Sequence, residues 1–263
     1  MKYYIATTEN VNNGVNLGDM FNALASFCCL KRKLNNTESF YFVTHKSRFF
    51  LVNLFKQYGA IPICIDECKD KQIESLWIDS TGFSNFTKQN YNRGLQYWDY
   101  FERFDLTSED LIKFYETLIP NKIKNNIITN KDLIICPMTN GGIIVDNKLF
   151  IDYANKLKEN GLINNIYVNI EGHAEYRKQN LNDFVNLETT LEQFLSIVYY
   201  NKPIILGLRS GLFDIIYGLN THQPIHVLCN SKCGCQMGWR YSIASERYAK
   251  MLDWKKNIIE TVI

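Results

Sequence analysis

Residues 203–229 read PIILGLRSGLFDIIYGLNTHQPIHVLC. An apolar run, Ile204-Ile205-Leu206-Gly207-Leu208, stops at Arg209-Ser210-Gly211. Apolar residues then recur with helical spacing from Leu212 to Leu219, and Pro224 leads into a short run with Ile225 and Val227. The pattern is strand, tight turn, helix, strand: one βαβ unit. In such a unit the turn lies at the carboxyl end of the strand and the amino end of the helix. Free backbone N–H groups and the helix dipole favour an anion there. Ser210 and Gly211 allow a phosphate to approach the backbone, and Arg209 adds a forked cation. The stretch predicts a phosphate-binding turn.

The same alternation continues on the amino-terminal side. Residues 132–137 (DLIICP) predict a strand opening on Met138-Thr139-Asn140-Gly141-Gly142. Residues 148–160 predict a helix closed by Gly161. Residues 165–170 predict a strand opening on Glu171-Gly172-His173, residues 185–187 a short strand before Glu188-Thr189-Thr190, and residues 191–200 a helix. The first 65 residues repeat the theme. Strands at 2–7, 39–43 and 60–65 enclose helices at 20–34 and 47–58, with Asp19 as a natural N-cap and Gly59 as a C′ glycine. Residues 74–79 suggest a fourth strand. Thr107-Ser108-Glu109-Asp110 caps a helix over 109–118 that Pro120 ends. The expectation is an α/β chain of two Rossmann-like doubly wound domains facing a cleft, residues 1–125 and 126–263. The polar, Asn-rich stretch 121–131 is the candidate linker, and the amphipathic segment 244–263 is expected to form a carboxyl-terminal helix.

Composition excludes more than it proposes. The chain is 46% hydrophobic and 21% charged, with a net charge of +2. Lys31-Arg32-Lys33 and Lys255-Lys256 are its basic clusters, so no nucleic-acid partner is expected. No span reaches the roughly 18–20 apolar residues of a transmembrane helix. The amino terminus turns polar too soon for a secretory signal, and a cytoplasmic location with at most peripheral membrane contact is expected. The eight cysteines read as reduced thiols, several inside apolar runs. Cys229, Cys233 and Cys235, to which Cys64 and Cys68 could add further ligands, do not have the spacing of a standard zinc knuckle, and no metal is expected. Tyr97-Trp98-Asp99-Tyr100 reads as a cleft wall or a sugar-stacking platform.

Several of these motifs resemble one family. Leu17-Gly18-Asp19 before a helix, Ile135-Cys136-Pro137 before a Gly-rich loop, Thr189-Thr190-Leu191 at a helix start, and Gly207-Leu208-Arg209-Ser210-Gly211 are similar to motifs of GT-B glycosyltransferases. They look most like those of the bacterial heptosyltransferases of surface polysaccharide synthesis. The chain departs from that pattern in having Arg209 where the family has Asp and Asp214 where it has His. The resemblance implies an inverting, metal-independent transferase without a cofactor, moving a sugar from a nucleotide-diphosphate donor to a glycan acceptor. It also implies Asp19 as the base for the acceptor hydroxyl, with capping the alternative role. Arg209, Ser210 and Gly211 would hold the diphosphate, with Asn140 and Gly141 wrapping it, while Asp214 and Glu171 would meet ribose. Thr189 would donate to phosphate, or else serve the helix cap. A catalytically inactive binding module in a glycan assembly complex is the other function considered. The lack of Gly-x-Gly-x-x-Gly after the first strand argues against a dinucleotide oxidoreductase.

Overall fold

The computed structural model describes residues 1–6, 17–76, 106–124, 127–137, 146–169, 184–208, 211–219, 224–229 and 258–262. The chain divides into two compact units, Met1–Ile119 and Pro120–Ile263. Each is a parallel α/β structure.

In the first unit, β1 (Tyr3–Ile5), β2 (Phe40–Thr44), β3 (Ala60–Cys64) and β4 (Ile73–Ser75) form one sheet in the order β3-β2-β1-β4, with every pair parallel. Parallel neighbours need crossovers, and helices supply them. Helix α1 (Leu17–Lys33) joins β1 to β2 and buries Met20, Phe21, Leu24 and Cys28. Phe21 stacks on Tyr115 of α3 (Ser108–Tyr115), and Phe55 stacks on Phe114. Thr107 Oγ1 accepts from the Asp110 N–H, and Asp110 accepts from the Thr107 N–H, so the expected cap of α3 is formed.

Two expectations change here, and the basic cluster of α1 finds its partners. Helix α1 begins at Leu17, so Asp19 is its third residue and not its N-cap. An acidic residue suits that first turn through the dipole. The segment expected as one helix over 47–58 is broken. Lys46–Arg48 and Lys56–Tyr58 are 3-10 turns, and only Phe49–Asn53 (α2) is α-helical. Gly59 closes it at φ 87, where a Cβ would stand 2.9 Å from the Glu38 carbonyl oxygen. The Lys31-Arg32-Lys33 cluster is absorbed by the fold. Lys31 is buried and donates to Asn36 Oδ1 and the Glu38 carbonyl, Arg32 reaches the Lys113 carbonyl, and Lys33 pairs with Asp110 at 3.2 Å.

The second unit contains β5 (Leu133–Cys136), α4 (Asn147–Glu159), β6 (Ile166–Val168), β7 (Val185–Asn186), α5 (Leu191–Asn201), β8 (Ile204–Leu208), α6 (Gly211–Gly218), β9 (Ile225–Cys229) and β10 (Ile258–Val262). Its strands lie β7-β6-β5-β8-β9-β10, all parallel. Counted within the unit, that is 3-2-1-4-5-6, the doubly wound order of dinucleotide-binding folds. Alternate strand residues, Leu133 and Ile135, Ile166 and Val168, Ile204, Leu206 and Leu208, pack on Phe150, Ala154 and Leu157 of α4. Ile134 and Ile205 are also fully buried, as strands covered on both faces require.

Two further expectations are corrected. Residues 258–262 are strand β10 beside β9, not the end of a helix. The run IIETV is β-branched, and the edge of β9 gives its backbone partners. Residues 244–257 lie outside the described residues. The candidate linker 121–131 is in part fastened to α5. Asn121 donates to Glu192, the Ile123 N–H donates to Ser196 Oγ, Tyr200 donates to the Pro120 carbonyl, and Asn201 donates to the Ile128 carbonyl. These residues belong to the second compact unit, which begins at Pro120. Among the described residues, no helix is long and apolar enough to cross a membrane.

Candidate functional site

In a sheet of order 3-2-1-4-5-6, successive connections leave in opposite directions from the first and fourth strands. A crevice opens outside their carboxyl ends, where ligands bind. Those strands are β5 and β8, and Cys136 lies directly opposite Gly207 in their register. The segment holding Asn140 and Gly141 follows β5, and Arg209-Ser210-Gly211 follows β8. Val168 of β6 lies opposite Ile135 of β5, and the segment holding Glu171 follows it. Thr189 follows β7, which pairs with β6. The candidate residues of the second half therefore leave the carboxyl ends of four adjacent strands.

Packing at the switch point is tight. A Cβ on Gly207 would lie 2.4 Å from the Cys136 carbonyl oxygen and 2.6 Å from the Phe213 ring. Glycine lets α6 sit close on β8, which brings the start of α6 to the strand end. Gly211 is the first residue of α6 and Asp214 the fourth. The leading N–H groups of a helix have no intrahelical partners. Arg209, Ser210, Asn140, Gly141 and Glu171 lie outside the described residues, as do Gly142, His173, Cys233, Cys235 and the 97–100 aromatic cluster. For Asp19 and Asp214 the backbone alone is described.

The two threonines divide their roles. Thr190 is the N-cap of α5, its hydroxyl accepting from the Gln193 N–H while Gln193 Oε1 accepts from the Thr190 N–H. This is a complete capping box. Thr189 takes no part in it. Its Oγ1 is buried without a hydrogen-bond partner, as is Oδ1 of Asn186 at the end of β7. Asn186 has no signal in the sequence, because an Asn at a strand end is ordinary turn composition. In the first unit, Arg48 follows β2 and belongs to no sequence motif. Its Nη1 is buried and unpartnered, and burial holds its guanidinium below the usual arginine range.

The cysteines that can be described are packing residues. Cys28, Cys29, Cys64, Cys68 and Cys136 are buried free thiols, and burial pushes Cys29 up to about 12. Cys68 Sγ donates to the Cys64 carbonyl. Among the described residues, no group of three His, Cys, Asp or Glu side chains is placed to hold a metal ion.

The fold defines a class: a chain of two parallel α/β units, the second of them doubly wound. Among solved structures, the chain resembles E. coli ADP-heptose lps heptosyltransferase II. The likeness has a TM-score of 0.53 at 12% identity, over 100% of this chain and 90% of that one. At that identity the likeness is one of fold. No family model matches the chain, and no curated protein matches its sequence.

Proposed function

We propose that the chain is a glycosyltransferase of GT-B type, moving a sugar from a nucleotide-diphosphate donor to a bacterial surface glycan acceptor with inversion and without a metal. The observation that carries this reading is the strand order of the second unit, with Cys136 of β5 paired to Gly207 of β8 at the switch point. The two segments that leave there are the Gly-rich one with Asn140 and Gly141 and the cationic one with Arg209, Ser210 and Gly211. Leaving-group charge in such a transfer is met by backbone N–H groups, a helix dipole and a guanidinium. The fold likeness to a heptosyltransferase points the same way.

The residues take these roles. Arg209 and the N–H groups of Ser210 and Gly211 hold the diphosphate, Asn140 and Gly141 close over it, and Thr189 donates its spare hydroxyl. Asp214 and Glu171 face ribose. Asp19, in the first turn after β1, takes the proton from the acceptor hydroxyl. The first unit serves the acceptor and the second the donor.

The test is thermal unfolding with a panel of nucleoside diphosphates. At least one should raise the Tm, and Arg209→Ala should abolish the rise. If no nucleotide changes the Tm, the reading fails.

A further inference from the structure

Arg48 ends the 3-10 turn Lys46–Arg48, directly after the carboxyl end of β2. The turn is held in place on both sides. His45 is its N-cap, with Nδ1 accepting from the Ser47 N–H and lying 2.8 Å from Ser47 Oγ. The Arg48 N–H donates to the His45 carbonyl, and Leu51 and Val52 of α2 anchor the following residues in the core. The guanidinium is thus carried on a rigid mount.

Its electrostatic state is unusual for a structural arginine. Nη1 is shut off from water without a hydrogen-bond partner, although the residue as a whole is only partly buried. Asp66 and Glu67 stand in the turn after β3, the neighbouring strand, and Cys64 Sγ reaches Asp66. Among the described residues, no carboxylate pairs with Arg48. Buried polar groups in folded proteins are normally hydrogen-bonded, so this enclosed N–H is a donor without an acceptor among the described residues. Lys46 and His45, exposed on the same turn, add positive potential around the open part of the side chain.

We propose that Arg48 is an anion-binding residue of the first unit, taking a carboxylate or phosphate group in its fork at the carboxyl edge of β2. It lies on the carboxyl-end side of the sheet, the side on which open parallel sheets bind ligands. The planar fork matches both groups bidentately, which a lysine cannot do. The site stands on Arg48 itself. Its assignment to the acceptor rests on the transferase reading, and it then specifies an acidic sugar as the acceptor unit.

The test uses the full chain and thermal unfolding at constant ionic strength, with glucose 6-phosphate, glucuronate and neutral glucose as probes. One or both acidic sugars should raise the Tm by a few degrees, and glucose should not. A response to the phosphate alone identifies a phosphate site, and a response to glucuronate alone a carboxylate site. Arg48→Met should lose the response. Arg48→Lys should weaken the Kd by at least about tenfold, because it keeps the charge and loses the fork. A parent protein indifferent to both acidic sugars overturns the proposal, as does an Arg48→Met variant that still responds. If Arg48→Met does not fold, an undiminished response in Arg48→Lys overturns it instead. Nucleoside diphosphates run in parallel report on the donor site of the second unit. Their effect should survive Arg48→Met, so loss of one reading is distinguishable from loss of the other.

Discussion

His226 lies buried on β9, with Nδ1 2.8 Å from the Tyr153 hydroxyl and its ring edge-on to that phenol. Burial disfavours the imidazolium, so its pKa is held below the ordinary value of 6.5. The sign follows from proton binding. Between the folded and unfolded values the unfolded chain holds the extra proton, so the stabilisation is full above pH about 6.5 and is lost as the pH falls toward the folded value. Urea midpoints at pH 7.5 and pH 5.5 should therefore differ more for the parent than for His226→Leu. Equal losses in the two proteins would exclude His226 as the cause.

Among the elements, α5 separates stability from ligand chemistry most cleanly. Thr190 completes a capping box, so Thr190→Ala should cost about 1 kcal/mol in urea unfolding. Thr189 Oγ1 makes no hydrogen bond, so removing it forfeits none. Thr189→Ala should leave the midpoint nearly unchanged and weaken the nucleoside diphosphate thermal shift. The opposite pattern, a destabilised Thr189→Ala with an unaltered nucleotide response, would assign Thr189 to the fold alone. The sequence left Thr189 open to either role. Only the hydrogen bonds show which one caps.

For the whole molecule, the division at Ile119 and Pro120 makes its own prediction. Residues 120–124 lie along α5, with Pro120, Asn121 and Ile123 bonded to Tyr200, Glu192 and Ser196. Ser196 is fully buried, and without Ile123 its hydroxyl would lose that partner. A fragment 120–263 should therefore unfold at a higher Tm than a fragment 126–263. Equal melting temperatures would show that this strap adds nothing.

The sequence by itself determined the element types and their alternation, because apolar periodicity and glycine or hydroxyl caps are local signals. Gly59 and Gly161, both at positive φ, and the Thr107 cap were legible for that reason. So were the strands flanking Arg209-Ser210-Gly211. What only the tertiary structure decided is non-local. Residues 258–262 became a strand because β9 offered an unpaired edge, while 120–124 became a strap because Ser196 and Glu192 face them across α5. Gly207 reads in the sequence as one residue of an apolar run. Its function, letting Phe213 and the Cys136 carbonyl close on the switch point, exists only once β5, β8 and α6 are packed together.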